Sequence, residues 1–219
     1  MQLDSRLLIF SRYPVSGEAK TRLIPSLGAV GAAQLHRLMT EYVVGIARAT
    51  YAASYKNSDG VTVHFTGAQL KDFRNWLGSD IQYKAQSSGH LGQRMQNAFH
   101  SAFVDGGKNA IGIGTDVPNL SSVILHQAHE SLSNHDIVLG PAADGGYYLI
   151  GMNSFHPELF VGIDWGTEHV YAQTMEICTR LGLRVAELPM LSDVDRPEDL
   201  NTLRKDPRFS EIIEKGRNP

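Results

Sequence analysis

Short apolar runs that alternate with amphipathic helical stretches constrain this chain more than any other feature. Arg6 to Ser11 (RLLIFS), Val61 to Thr66 (VTVHFT), Asn109 to Gly114 (NAIGIG) and Asp136 to Gly140 (DIVLG) have the length of strands. RLLIFS lacks a polar alternation, which suits a strand buried on both faces. Leu35, Leu38, Met39, Tyr42, Val43 and Ile46 recur at steps of three and four, which predicts a helix over 35–50. Similar spacing predicts helices over 69–77, 91–104, 122–132 and 170–181. The apolar segment GYYLIGM over 146–152, a strand over 183–188, a closing helix over 197–205 and the polar tail EKGRNP complete the chain. No linker, repeat or low-complexity run interrupts it. The expected architecture is one α/β domain over 1–219, doubly wound, with a mostly parallel central sheet and helices on both faces. Such sheets bind ligands beyond the carboxyl ends of their strands.

Charge narrows the partners. With 20 basic and 23 acidic side chains the net charge is -3, so no global field draws the protein to nucleic acid or an anionic membrane. No stretch approaches the roughly 20 apolar residues of a membrane span, and the start MQLDSRLLIF lacks a secretory apolar region. A cytoplasmic location is expected. The lone Cys178, in TMEICTRLG, cannot form an internal disulfide and is expected to be a buried structural thiol. The histidines, His64 and His90 among them, show no metal-ligand spacing and read as structural or surface residues.

The first apolar run ends in SRYPVSGEAKTRL, a loop that concentrates Arg12, Gly17, Lys20 and Arg22. It has neither the Walker A nor the dinucleotide spacing. A glycine that admits close backbone approach, a lysine point charge and arginine forks suit phosphate oxygens; a solvated basic loop is the other reading. IGIGTDVPNL places Asp116 at a strand end, where a carboxylate suits Mg2+ or Mn2+, or else makes an Asx turn before Pro118. LSDVDRPEDL supplies Asp193 and Asp195, and its Asp195 and Glu198 have the spacing of a helix capping box. GPAADGGYYL reads as a hairpin turn carrying Asp144. SGHLGQRM opens a helix whose free N–H groups, with Arg94, could meet an anion. Two aspartate clusters facing a cationic loop match what a metal-diphosphate site requires.

FSRYPVSGEAKTRL, HLGQRM, GIGTDVPNL, LGPAADGGYYLIG, DWGTEHV and SDVDRPEDL together resemble a bacterial glycosyltransferase-like family, radical-SAM/selenodomain-associated transferase 1, some of whose members are associated with arsenosugar biosynthesis. The resemblance spans nearly the whole chain and implies the nucleotide-diphospho-sugar transferase (GT-A) fold. More distantly, the chain is similar to phospholactate and molybdopterin nucleotidyltransferases. The resemblance implies Asp116 and Asp195 as ligands of Mg2+ or Mn2+, with Asp193 in reserve. It implies Arg12, Gly17, Lys20 and Arg22 around the nucleotide phosphates, and Gly92 and Arg94 near the nucleotide. Asp144, Gly145, Gly146 and Tyr147, with Trp165 and Thr167, would face the acceptor. The chain departs from the family at Gly166, where serine is usual, and at His90, where an acidic residue is common.

The function expected is metal-dependent transfer of a sugar from a nucleotide-diphospho-sugar to a small-molecule acceptor, with Asp144 as base and Lys20 assisting. Two alternatives stand beside it. One is a nucleotidyltransferase, phospholactate guanylyltransferase-like, that releases pyrophosphate; the other is a catalytically inactive nucleotide-binding module. A homo-oligomer is compatible with either.

Overall fold

The computed structural model describes residues 5–55 and 60–215. The strands are β1 (Ser5–Arg12), β2 (Val61–Thr66), β3 (Gln82–Ala85), β4 (Asn109–Ile113), β5 (Ile137–Pro141), β6 (Tyr147–Met152) and β7 (Val185–Glu187). The helices are α1 (Ile24–Tyr55), α2 (Leu70–Leu77), α3 (Leu91–Val104), α4 (Ser122–Ser131), α5 (Val170–Arg180), α6 (Leu200–Leu203) and α7 (Ser210–Lys215). The strands form a seven-stranded sheet in the order β3-β2-β1-β4-β6-β5-β7. All neighbours are parallel except β6, which runs antiparallel to β4 and β5. The mostly parallel sheet expected from the alternation is therefore present.

Successive residues of β1 serve opposite faces. Leu7 and Ile9 pack with Val43, Ala47 and Tyr51 of α1, Phe73 of α2 and Leu125 of α4. Leu8 points the other way, into the layer made by Phe99 of α3 and Ile177 and Cys178 of α5. Both faces are dry, which is why the strand reads as an unbroken apolar run. Phe73 and Phe99 are fully buried, and each contributes about 3 kcal/mol of burial. Cys178 is buried as expected.

A third apolar cluster lies off the sheet. Leu23, Leu27, Leu35 and Met39 meet Leu200 and Leu203 of α6, Phe209, and Ile213 of α7, and Val194 inserts among them. This cluster ties the last segment of the chain to the start of α1.

Several boundaries differ from expectation. The helix expected over 35–50 begins at Ile24, because the chain passes Gly28 (φ +67°) as a kink and does not stop there. The closing helix over 197–205 is a 3-10 turn over Pro197–Asp199 followed by α6. Glu214 and Lys215 of the polar tail belong to α7, and the rest of that tail lies outside the described residues. β3 and α7 carry no apolar run long enough to announce them.

Candidate functional site

β1 connects outward to β2, whereas its other neighbour β4 leads to the opposite half of the sheet. The crevice beyond the carboxyl ends of β1 and β4 is thus a topological switch point. A cleft of about 390 Å³ opens there. Its floor is Gly112 and Ile113 of β4 with Gly114, Asp116 and Val117 just after it. One wall carries Asp144, Asp193 and Asp195; the other is apolar and aromatic, with Phe10, Leu91, Met95, Tyr147, Trp165 and Val170.

The acidic wall is built by period-two alternation in Asp193-Val194-Asp195. Val194 is 1% exposed and anchored in the third cluster, and its N–H donates to the Asp116 carbonyl (3.0 Å). Its neighbours consequently lie on the cleft side. The predicted capping box is displaced by one residue. Asp199, not Glu198, accepts from the amides of Asp195 (3.0 Å) and Arg196 (2.7 Å). The side chain of Asp195 is left to the site, where it pairs with Arg22.

Lys20 joins the two aspartate clusters. Its Nζ donates to the Val194 carbonyl (2.6 Å) and lies 3.0 Å from Asp116 Oδ1 and 3.6 Å from Asp195 Oδ1. Burial pushes the Asp116 carboxyl up, but Lys20 and His36 outweigh it and hold the group well below the usual carboxylate range. His36, on α1, has Nδ1 3.8 Å from Asp116 Oδ1 and Nε2 2.9 Å from the Arg12 carbonyl. It ties the basic loop to the aspartate, a role the sequence reading missed because one histidine on a long helix has no spacing to mark it. The Asp193 carboxyl is pushed upward by burial and by Asp144.

Asp144 sits at the tip of the β5–β6 hairpin, where its Oδ1 accepts from Gly146 N (2.8 Å). The hairpin expected from Asp-Gly-Gly is present, with Gly145 at φ +86°. Tyr147 meets Trp165 edge-on, with ring centroids 6.3 Å apart. Tyr147 Oη and Trp165 Nε1 are buried without hydrogen-bond partners, and burial, then Cys178, raises the Tyr147 pKa. Thr167 lines the cleft and donates its hydroxyl to the Asp164 carbonyl (2.7 Å).

The fold thus gathers Arg22, Asp116, Asp144, Asp193, Asp195, Gly146, Tyr147, Trp165 and Thr167 around one cleft. Lys20 lies beneath its carboxylates, with a side chain only 5% exposed. Arg12, Gly17 and Arg94 stand outside the lining: Arg12 faces Glu18 (3.8 Å), Gly17 turns the basic loop at φ +85°, and Arg94 Nε donates to the Gly89 carbonyl (2.8 Å). Gly92 lies under Trp165, where a Cβ would come within 2.2 Å of the indole Nε1. Leu91, Met95, Phe10 and Val170 are lining residues that core-like apolar spacing does not distinguish from packing.

The family described as "Uncharacterized protein conserved in bacteria (DUF2064)" matches residues 50–167, just over half of the chain. The chain belongs to DUF2064. No curated protein matches it. Among solved structures, the DUF2064 chain is similar to a candidate nucleotide-diphospho-sugar transferase from Desulfovibrio desulfuricans G20, at 31% identity and TM-score 0.86, over 98% of this chain and 99% of that one. It shares its fold with a nucleotidyl transferase from Methanothermobacter (15% identity, TM-score 0.61, 94% and 98% covered). It also shares it with a cytidylyltransferase from Leptospira borgpetersenii (16% identity, TM-score 0.55, 97% and 93% covered). The fold is that of nucleotide-diphospho-sugar transferases, and the likeness to the Desulfovibrio protein places the DUF2064 chain among transferase-like enzymes. Among the described residues, no helix is long and apolar enough to cross a membrane.

Proposed function

We propose that this DUF2064 protein is a metal-dependent transferase that moves a sugar from a nucleotide-diphospho-sugar to a small-molecule acceptor. One observation carries the reading. Asp116 and Asp195, from separate loops at the switch point, converge on a single cationic point at the floor of the cleft. Mg2+ and Mn2+ are held by one or two carboxylates plus substrate phosphate oxygens, so this pair fits such a cation, with Asp193 beside it. Among the described residues no three His, Cys, Asp or Glu side chains gather as a complete cage, so the remaining ligands fall to the donor. A cation held there supplies positive charge where the leaving diphosphate becomes more negative.

The chain's own residues divide the remaining tasks. Arg22, exposed at the rim, is placed to grip a phosphate through its guanidinium fork. Arg12 and Gly17, outside the cleft lining, belong to the loop that carries Arg22 and Lys20 to the site. The aromatic wall of Tyr147 and Trp165 gives the acceptor an apolar surface that excludes water. Asp144, on the opposite wall, is the base for an acceptor hydroxyl.

The nucleotidyl alternative rests on the fold shared with nucleotidyltransferases, in which an ionised phosphate would be the nucleophile and no base would be needed. Product analysis separates the two. The protein is incubated with Mn2+ or Mg2+, a panel of nucleotide sugars or nucleoside triphosphates, and candidate acceptors. Release of a nucleoside diphosphate is expected. Pyrophosphate as the product would replace sugar transfer with nucleotidyl transfer, and failure of every nucleotide to bind would overturn both.

A further inference from the structure

Lys20 is held in a way that a simple phosphate-binding lysine does not need. Its Nζ donates to the Val194 carbonyl at 2.6 Å and is ion-paired with Asp116 Oδ1 at 3.0 Å and Asp195 Oδ1 at 3.6 Å, and the side chain is 5% exposed. We propose that Lys20 is a resident counter-ion of the Asp116–Asp195 pair, one that donor and divalent cation displace together, so that the two ligands bind cooperatively. The proposal rests on the transferase reading above and adds to it how the site is loaded.

The electrostatics make each ligand a poor binder alone. A divalent cation seeking the oxygens of Asp116 and Asp195 meets an ammonium already placed between them, which repels it. A diphosphate arriving without the cation meets four carboxylates on the cleft lining, Asp116, Asp144, Asp193 and Asp195, against the single guanidinium of Arg22. When both arrive, the cation takes over the carboxylates and the phosphates offer the ammonium a new partner. Charge is then matched without leaving the two half-buried carboxylates bare.

The backbone has the means for this exchange. Lys20 sits at φ 49°, ψ 46°, and it is the only non-glycine residue with positive φ among the described residues. Side chains with a Cβ populate that region sparsely, so its ion pairs hold the loop in a conformation that release would relax. Gly17, three residues earlier, turns the same loop at φ +85°.

The test is Mn2+ binding to the full chain, followed by electron paramagnetic resonance of the free ion. It is run with and without UDP, CDP, GDP or ADP and corrected for the Mn2+ complex of each nucleotide in solution. The wild type should bind Mn2+ at least about tenfold more tightly with its preferred diphosphate than without, within the usual range of coupling between sites. Lys20→Met should bind Mn2+ alone at least about tenfold more tightly than the wild type, and should lose most of the coupling. A Lys20→Met affinity equal to or weaker than wild type would overturn the counter-ion role. So would a wild type that binds Mn2+ equally well with and without nucleotide, a result that needs no variant to fold and leaves the transferase reading standing. If the wild type takes up neither Mn2+ nor any nucleotide, the transferase reading falls, and this proposal with it.

Discussion

Gly92→Ala tests how the aromatic wall is positioned. The new Cβ would lie 2.2 Å from Trp165 Nε1, 2.6 Å from Cε2 and 2.8 Å from the Phe160 carbonyl oxygen. Ordinary contact begins near 3.4 Å, so the indole must retreat by more than 1 Å, and a backbone carbonyl stands in the way of any tilt that spares it. Alanine favours a helix over glycine by about 1 kcal/mol, less in a first turn, whereas overpacking of this kind costs roughly 1–3 kcal/mol. The sterics win, and a net loss of about 1–2 kcal/mol is expected. For a chain of this length that lowers Tm by roughly 2–8 °C. Trp76 and Trp165 are the two tryptophans, so thermal melts and indole emission in a Trp76→Phe background report stability and the environment of Trp165 together. Acceptor KM should rise while donor affinity holds. A variant as stable as its parent, with unchanged Trp165 emission, would refute the close packing argued here.

Asp144→Asn retains an Oδ1 that can accept from Gly146 N, so the hairpin should survive; turnover should fall by about 10²–10⁴, with donor affinity nearly unchanged. Unchanged turnover would remove Asp144 as the base. His64 and His129 are both lowered to about 4, each by burial first, with Lys84 and His126 adding to it respectively. Each binds its proton more weakly folded than unfolded, so stability is complete above about pH 6.5 and falls as pH drops toward 4; at pH 5 each should cost about 2 kcal/mol. Urea midpoints at pH 7 and 5 check this, and a flat profile would contradict it. Burial pushes the Cys178 thiol up to about 11, so a thiol reagent should label it only after denaturant is added. Rapid labelling of the native protein would count against its place in the core.

The strands that read clearly are those whose two faces are both dry. β3 (QYKA) does not, because it is an edge strand with exposed or half-buried side chains, held by parallel pairing with β2 alone. At α1, the spacing that marks a helix over 35–50 does not announce its first turns, where the apolar face runs on through Leu27, Ala32 and Leu35 across a kink at Gly28. In the site, residue type at a strand end marks Asp116 as either a ligand or an Asx turn, and the family resemblance is what pairs it with Asp195. What residue type does not disclose is which neighbour takes which carboxylate. The spacing points to Glu198 as the cap, whereas Asp199 takes the amides, and Asp195 is left to Lys20 and Arg22. Lysine in a basic loop likewise reads as a phosphate ligand, and only the packing reveals that its ammonium is turned down onto two aspartates.

Val194 links the chemistry to the molecule's periphery. The carboxylates on either side of it are fixed by a cluster built from α6, α7 and the beginning of α1, apart from the packed sheet. Short helices that bury few side chains open locally at lower free energy than central strands do. Amide hydrogen exchange should therefore run faster in 197–215 than in β1 or β4, and each such opening unseats the acidic wall while the sheet stays folded. A protease cut between α6 and α7 would disable the cleft before it unfolded the sheet, so a short segment outside the cleft lining governs the geometry of the acidic wall.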